Sequence, residues 1–404
     1  MRFVTAVTFA LVVFGGVDAI FMDTDVLAAA GLAKLGLHVA INGYPNAEKC
    51  TLENVSVRRE WCVKSFLTRD EKLNYINAVN CLAKKPAKTP VAIAAGAKSR
   101  YDDFVVTHIL QTMNIHGTGN FLAWHRYYTW AYEQVLRNEC GYKGYQPYYS
   151  WPWWANDPTK SPLFDGSETS LSGDGAYVAG RNASCLPSNS RCFVTLQPAN
   201  GGGCVKSGPM KDWKINMGPL QNHLAGVNPN PQADGLGYNP RCMRRDISKQ
   251  AAAETTDEKV AFLIRNSTDI KSFQDLMQNF IPGSVGIHSG GHYTIGGDAG
   301  SDLYNSPADP AFFLHHVSIP MLYNPTIEAD RFQGMVDKVW WIWQNMDVKK
   351  RTHVIAGTLT FLNQPPTRNA TLRDELFLGH VGFPNITIDE ATSTLAGPFC
   401  YIYA

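Results

Sequence analysis

Six of the eleven histidines in this chain form two triplets that lie far apart in the sequence, and this pattern constrains the fold more than any other feature. The triplets are His108, His116 and His125, and His288, His292 and His316. A neutral imidazole is the usual protein ligand for copper, zinc and iron. Neither triplet has a carboxylate or a thiolate at ligand spacing. The pattern therefore predicts two similar metal ions, each with three imidazole ligands and an open coordination position.

The first triplet is spread over two predicted helices and the turn between them. His108 lies within a helix-like segment, His116 begins the glycine-containing loop His116-Gly117-Thr118-Gly119, and His125 lies near the start of the next helix. Trp, Tyr and Phe are frequent around all three histidines. A helix, a loop and a second helix can place three imidazoles around one point, so we expect one metal ion here.

The second triplet begins with two histidines at helical spacing. A separation of four residues places His288 and His292 on one face of a helix. Gly290-Gly291 between them disfavours a helix, and we expect a second backbone or a substrate to pack closely there. Ser289 follows the first histidine where an HExxH metalloprotease has glutamate, which argues against that class. His316 follows at the end of the segment DPAFFLHH.

Ligand sets of imidazole nitrogen suit copper, which cycles between Cu(I) and Cu(II). Two adjacent copper ions can each give one electron to O2, and a neighbouring diphenol can then be oxidised by two electrons. The histidine segments resemble the tyrosinase and catechol oxidase family of type 3 copper proteins, in its short fungal form. The resemblance extends from about Arg58 to the C-terminus and rests on Arg58-Arg59-Glu60-Trp61, GNFLAWHRYY, YEQVLRNECGY, DPAFFLHH, VWWIWQ and Tyr401-Ile402-Tyr403.

The resemblance implies a mainly α fold, in which a four-helix bundle holds two copper ions, each between a pair of helices. It assigns the first triplet to one copper ion and the second triplet to the other. An early arginine is expected to pack against the terminal Tyr-x-Tyr segment, and no lid domain is expected to inhibit the enzyme. Three side chains are expected to support the ligands without binding copper: His315, Asp309 and Asp337. Three others are expected to line the substrate pocket: Ser289, Tyr293 and Gln278.

The chain departs from the family pattern at two positions near the expected site. Many relatives have a cysteine before the second histidine that forms a thioether with it, and Asn114-Ile115 occupies that place here. Hydroxylating members often place a glutamate ahead of the fourth histidine, where this chain has Gln278 or Asn279. An amide cannot act as a carboxylate base. We therefore expect oxidation of o-diphenols or o-aminophenols to quinone-type products.

Three alternative functions remain open on the sequence alone. A true tyrosinase would also hydroxylate monophenols. A reversible O2 carrier with a similar metal site belongs to another class, although the size of the chain argues against it. A metal-free relic of the fold is the third alternative, and the copper content of the protein distinguishes it from the others.

An insertion separates His316 from the segment VDKVWWIWQ. Relatives have three residues between this histidine and an aspartate, whereas residues 317–333 are additional here; removing them gives HHGMVDKVWWIWQ, with Asp337 four residues after His316. The insertion contains Pro320 and Pro325, which are hostile to a helix interior. Val317-Ser318 can be encoded by a splice-donor sequence, and the last two inserted residues by a pyrimidine-rich stretch ending in CAG. We hypothesise a retained intron; the alternative is a genuine surface loop.

The N-terminus predicts a secreted protein. Met1-Arg2 and the apolar run that follows lead to Val17-Asp18-Ala19, which is typical of a secretory signal cut near Ala19. No further apolar run is expected to span a membrane, and the net charge of +1 without a basic patch argues against nucleic-acid binding. Five glycosylation sequons agree with secretion: Asn54, Asn182, Asn266, Asn369 and Asn385.

Nine cysteines follow the predicted signal, so most should pair in an oxidising compartment and at least one should remain free. Proximity in the sequence suggests a pair between Cys50 and Cys81 and pairing within the cluster Cys185, Cys192 and Cys204. No CxxC motif is present, which argues against a zinc ribbon.

Residues 20–404 are expected to form a single domain, since no linker divides them. The long segment 156–239 is rich in Gly, Pro, Ser and Asn and is expected to be irregular and pinned by disulfides, with few short strands elsewhere. Apolar periodicity predicts six helices: Thr68 to Leu82, Arg100 to Thr112, Phe121 to Asn138, Thr256 to Arg265, Ile270 to Phe280 and Val336 to Asn345.

Overall fold

A computed structural model of the chain describes residues 22–61, 67–188, 190–221, 224, 226–278, 281–316 and 336–403. These residues are mainly helical, as predicted. Their α-helices are α1 (Asp23–Asn42), α2 (Arg69–Leu82), α3 (Arg100–Ile115), α4 (Phe121–Cys140), α5 (Trp151–Trp154), α6 (Lys249–Ala252), α7 (Asp257–Asn266), α8 (Ile270–Gln278), α9 (Gly286–Ile295), α10 (Gly297–Gly300), α11 (Ala311–His316), α12 (Val336–Met346) and α13 (Val348–Arg351).

The strands are short and form two-stranded sheets within the described residues. They are β1 (Ser56–Arg58), β2 (Gly175–Tyr177), β3 (Ser184–Ser188), β4 (Arg191–Leu196), β5 (Gly202–Val205), β6 (Lys214–Ile215), β7 (Arg241–Cys242), β8 (Glu375–Leu376), β9 (Ile386–Thr387) and β10 (Tyr401–Tyr403). β1 and β10 pair in parallel, and the other pairs, β2–β5, β3–β4, β6–β7 and β8–β9, are antiparallel. The short sheets therefore connect loop segments around a helical core, and the β1–β10 pair holds the C-terminal strand.

All six predicted helices are present as α2, α3, α4, α7, α8 and α12. Local chemistry explains where two of them begin. Thr68 caps α2 and Ser99 caps α3, in each case through a reciprocal capping box with the third residue of the helix. These boxes satisfy backbone N–H groups that have no partner in the first helical turn.

The bundle that carries the histidines consists of α3, α4, α9 and α11. Aromatic side chains fill the space between these helices: the Phe313 ring stacks on Tyr132 at a centroid distance of 3.5 Å and on Tyr128 at 5.6 Å, and it meets Phe104 edge-on. All four side chains are buried. Burial of large aromatic rings is a major favourable term in folding, so this packing fixes the helices that bear the site.

Helix α1 was not predicted, and it corrects the expectation that no further segment could span a membrane. By length and composition, Asp23–Asn42 is long and apolar enough to cross a bilayer. In the structure, one face of the helix packs on α12 and α7. Asp23 forms an ion pair with Arg265 at 2.5 Å, and Thr24 donates to Asp257. These contacts attach the helix to the domain.

Four disulfides are present among the described cysteines: Cys50–Cys400, Cys81–Cys140, Cys185–Cys192 and Cys204–Cys242. The predicted Cys50–Cys81 pair is therefore wrong, and pairing within the 185–204 cluster is confirmed only for Cys185–Cys192. Proximity in the sequence does not determine this pairing, because α2 packs against α4 and this contact brings Cys81 to Cys140.

The long segment between α5 and α6 contains β2 to β7 and is held by two of these disulfides, as expected. Several sequence predictions concern residues outside the described ranges. These are the signal at residues 1–19, Cys62, Asn279, and the insertion at residues 317–333.

Candidate metal centre

The three imidazoles of the first triplet point one nitrogen each at a common centre. Each Nδ1 atom lies within hydrogen-bond distance of a backbone carbonyl oxygen: His108 of Tyr304 at 2.8 Å, His116 of Thr112 at 3.0 Å and His125 of Phe121 at 2.8 Å. A carbonyl oxygen only accepts, so each Nδ1 carries the proton and each Nε2 presents a lone pair. All three Nε2 atoms are buried and have no hydrogen-bond partner. Such converging, unpartnered lone pairs fit a metal ion.

Burial keeps these imidazoles neutral. It lowers the pKa of His108 and of His125 well below the usual range, and neighbouring histidines lower it further. Burial also lowers the pKa of His116 to about 4. A neutral imidazole is the form that binds a metal, so no proton has to leave the ring before metal uptake at neutral pH.

The second triplet also converges, but its Nε2 atoms lie within hydrogen-bond distance of one another. The Nε2 atom of His292 lies 3.1 Å from Nε2 of His288 and 3.2 Å from Nε2 of His316. Burial lowers the pKa of His292 to about 3 and holds those of His288 and His316 well below the usual range. Three neutral imidazoles therefore bring their Nε2 atoms together without a bridging protein group.

His315 belongs to the same cluster, because its ligand atom lies within 4.8 Å of those of the second triplet. Both of its ring nitrogens are buried and lack a hydrogen-bond partner. The ring lies 4.8 Å from that of Trp151 and 4.2 Å from that of His292. His315 thus packs directly against an expected ligand.

The glycines of α9 make room for side chains. A Cβ atom on Gly291 would overlap the His315 imidazole, and one on Gly290 would lie 2.5 Å from Cβ of Glu254. The expected close approach of a second backbone is confirmed at Gly290, where the Ala251 carbonyl oxygen would lie 3.4 Å from the added Cβ, whereas the neighbours at Gly291 are side chains. The ring and the Glu254 side chain reach into the space that a side chain on α9 would fill.

The two triplets face each other across the bundle. The rings of His125 and His316 are nearly parallel, with centroids 4.7 Å apart, and those of His116 and His288 are 6.1 Å apart. Four helices bring together segments that are distant in the sequence, as the histidine pattern predicts. The arrangement can hold two metal ions close enough to act on one small molecule.

A cavity of about 590 Å³ opens onto this centre. His116, His288 and His292 form part of its wall, and the three residues expected in the substrate pocket all line it: Ser289, Tyr293 and Gln278. The side-chain oxygen of Gln278 accepts a hydrogen bond from the Gly117 N–H at 3.0 Å. This bond places the amide beside the loop that carries His116.

Asp309 supports the helix that carries His316. Its two carboxylate oxygens accept hydrogen bonds from Arg245, both at 2.8 Å, and one of them also accepts from the Ala311 N–H at 2.9 Å. This last bond satisfies an N–H group at the start of α11. Asp309 therefore fixes the position of α11 through the backbone.

Asp337 lies at the junction of α4, α12 and β10. It accepts hydrogen bonds from Arg126 at 2.6 Å and from the hydroxyls of Tyr401, at 2.7 Å, and Tyr403. Arg58, the early arginine, places its guanidinium 3.7 Å from the Tyr401 ring centroid. Since Arg126 follows His125 in α4, this junction holds the helix that carries a predicted ligand.

Tyr304 is a site residue that the sequence did not indicate. Its carbonyl oxygen orients His108, and its own N–H donates to Asp302 at 2.9 Å. The burial of Asp302 raises the pKa of its carboxyl to about 6. The contact joins residues 196 positions apart and uses a backbone atom, so no side-chain motif could have revealed it.

Comparison with known proteins agrees with this geometry. The family model for the common central domain of tyrosinase matches residues 98–324. The tyrosinase-like protein orsC of Emericella nidulans is 41% identical over 80% of this chain and 82% of its own length. The N-acetyl-6-hydroxytryptophan oxidase ivoB of the same organism is 35% identical over 93% of this chain and 99% of its own.

Among solved structures, a mutant polyphenol oxidase of Thermothelomyces thermophila superposes with a TM-score of 0.81. It is 37% identical, and the match covers 95% of this chain and 98% of that one. The two clusters of buried imidazoles, with the unpartnered Nε2 atoms of the first triplet, fit the pair of copper ions that this family uses. The chain therefore belongs to the tyrosinase family of copper oxidoreductases, which use a dinuclear copper centre to act on O2 and phenols.

Proposed function

We propose that this protein oxidises o-diphenols or o-aminophenols to quinone-type products with O2. The observation that carries the proposal is the set of six buried, neutral imidazoles whose Nε2 atoms converge in two facing triplets. In this proposal His108, His116 and His125 hold one copper ion, and His288, His292 and His316 hold the other. His315 packs behind His292 and orients it.

Bound copper supplies the electron transfer between the phenol and O2. Two o-diphenol molecules lose two electrons and two protons each. One O2 takes up these four electrons and four protons to give two waters. The protein holds its imidazoles unprotonated and presents the centre to a cavity large enough for a substituted ring. Ser289 and Tyr293 border the cavity and position the ring.

The proposal favours diphenols over monophenols because of Gln278. Hydroxylation of a monophenol requires removal of the phenolic proton, and a carboxylate can take it. Gln278 lines the cavity, but its amide has no basic group, and its oxygen already accepts from Gly117. A relative's name describes oxidation of a hydroxylated tryptophan derivative, which is consistent with a phenolic substrate here.

Oxygen uptake by the copper-loaded protein tests the proposal. We expect rapid, repeated turnover with 4-methylcatechol and 2-aminophenol and none with 4-methylphenol. Turnover of 4-methylphenol would instead establish a true tyrosinase, and stoichiometric O2 binding without turnover would establish a carrier. Failure to bind copper would leave the metal-free alternative.

A substitution at one position examines the role of the amide. Gln278→Glu places a carboxylate where the wild type has none, and we expect measurable hydroxylation of 4-methylphenol with little change in 4-methylcatechol oxidation. Gln221→Glu is the matched control, because Gln221 also lines the cavity.

The proposal includes secretion and glycosylation. The four disulfides fit an oxidising compartment. The asparagines of the five sequons are all exposed: Asn54, Asn182, Asn266, Asn369 and Asn385. Expression in a fungal host should deliver the protein to the medium, and endoglycosidase should lower its mass. Intracellular, unglycosylated protein would contradict this part of the proposal.

A further inference from the structure

The cavity over the metal centre has one wall that the histidine helices do not supply. The hairpin of β3 and β4 contributes Pro187, Ser188, Arg191 and Phe193 to the lining. Arg191 is the only formally charged side chain among the described residues that line the cavity, and no carboxylate is among them. A ligand in this cavity therefore meets a single cation at the hairpin.

The hairpin holds this cation in place. Ser188 pairs with Arg191 in the strand register, and the Cys185–Cys192 disulfide links the two strands next to that pair. The Arg191 guanidinium lies 4.8 Å from the centroid of the Phe193 ring. Stacking of this kind restricts the side chain and leaves the edge of the guanidinium open to hydrogen-bond acceptors.

None of the ion pairs formed within the described part of the chain involves Arg191. The side chain is exposed at the hairpin, so its charge remains hydrated and needs no protein counterion. Its planar fork of N–H groups matches a carboxylate, which it can bind through two parallel hydrogen bonds. The other residues of the wall carry no formal charge: some are polar, such as Ser289 and Tyr293, and others are apolar, such as Ile281 and Leu362.

We propose that the phenol oxidised at this site carries a carboxylate, which binds Arg191 while the hydroxylated ring faces the histidines. The substrate class is thus an aromatic acid, such as a dihydroxyphenyl alkanoate. This inference rests on the proposed function and makes it more specific. Arg191 acts as a specificity-determining residue at the cavity wall, and the Phe193 ring positions it.

A matched substrate pair isolates the charge. 3-(3,4-Dihydroxyphenyl)propanoate and its methyl ester share the catechol ring, and only the acid is an anion at neutral pH. We expect the wild type to show a lower KM for the acid. Arg191→Gln should raise that KM about three- to fivefold, the range for a partly exposed ion pair, with kcat and the KM of the ester nearly unchanged.

Three further variants define the cause. Arg191→Lys keeps the charge without the planar fork and should recover part of the preference. Phe193→Leu removes the stacking ring and should weaken the preference without removing the cation. Lys211→Gln removes an exposed cation outside the cavity and should leave both substrates unaffected. Added NaCl should raise the KM of the acid and not that of the ester.

Equal kinetic constants for the acid and the ester, or equal changes in both on Arg191→Gln, would overturn the inference and leave the oxidase intact. Failure of the wild type to oxidise either compound would instead count against the proposed function. In that case, binding of the acid and the ester measured by calorimetry without turnover still decides the role of Arg191. Wild type that binds both equally would refute it.

Discussion

At the scale of single residues, Asp337 shows how one carboxylate can hold distant parts of this chain. It accepts hydrogen bonds from Arg126, Tyr401 and Tyr403, and Arg58 lies at ion-pair distance. All of these side chains are buried. A buried network of this kind depends on each member, because the loss of one leaves the others unpaired in a medium of low dielectric.

Asp337→Asn should therefore destabilise the protein strongly. The amide loses the charge that balances the arginines and turns an N–H2 group toward donors that need an acceptor. We expect the free energy of unfolding, measured with urea, to fall by roughly 3–5 kcal/mol. Asp374→Asn is the control, because it removes the partner of the more exposed Arg368. This substitution should lower the free energy of unfolding by less than about 1 kcal/mol. Equal losses would contradict the central role of Asp337.

The residues of the site differ in how far they could be predicted. The histidines were predictable because metal ligands repeat one side-chain type at restricted spacings, and all six lie in the two facing clusters. The carbonyl oxygens that orient His108, His116 and His125 could not be predicted, since every residue has a carbonyl oxygen. Arg191 also gave no signal, because only the hairpin brings it to the cavity.

At the scale of elements, the packing of α9 against α11 requires glycine at position 291, because a Cβ atom there would overlap His315. Gly291→Ala would drive a methyl group into His315 and toward Trp151, so the two helices would have to separate. We expect a loss of about 1–3 kcal/mol in stability from overpacking. Because α9 carries His288 and His292, the copper content should also fall below two ions per chain, as measured by mass spectrometry of the metal.

Gly36→Ala provides the matched control for this substitution. Gly36 lies within α1, where nothing approaches the added methyl group within 4 Å. Alanine is the better helix former, so we expect a gain of about 0.4–1 kcal/mol and full copper content. If Gly291→Ala also kept both stability and copper, the close contact of α9 with His315 would not matter for the site.

The helices themselves were predictable to different degrees. Those with apolar periodicity and capping residues, such as α2 and α3, were found within a few residues of their ends. Helix α1 gave no clear periodicity because few of its residues are buried: only Thr24, Asp25, Ala28, Gly31 and Leu35. Its attachment comes from packing on α12, a tertiary contact that local sequence does not encode.

At the scale of the whole molecule, the disulfides differ in how much chain they close. Cys50–Cys400 spans 350 residues and lies beside the β1–β10 pair, whereas Cys185–Cys192 spans seven. In the chain-entropy model a longer loop constrains the unfolded chain more. Replacing Cys50 and Cys400 by serine should therefore cost about 5 kcal/mol of unfolding free energy.

The corresponding double substitution at Cys185 and Cys192 should cost about 2 kcal/mol. Urea titration of both variants measures the difference. A larger loss for the short loop would mean that native contacts of the hairpin, and not chain entropy, determine the effect. In that case the acid preference at Arg191 should weaken in the same variant.

The insertion at residues 317–333 bears on the integrity of the whole centre. His316 is the last residue of α11, Val336 is the first of α12, and the two helices contact each other. Without the insertion, only Gly334 and Met335 would separate His316 from Val336, so α11 could continue into α12 as one helix. Asp337 would then follow His316 by four residues, on the same helical face.

We therefore expect the chain lacking residues 317–333 to bind two copper ions and to oxidise catechols. The full-length chain should bind fewer, because the insertion begins at the residue after a predicted ligand. The copper content per chain of both forms measures this, and transcript reads across codons 316–334 show whether the segment is normally spliced out. Two copper ions in both forms, with uniform retention in the transcripts, would show that the segment is a tolerated part of the protein and not a retained intron.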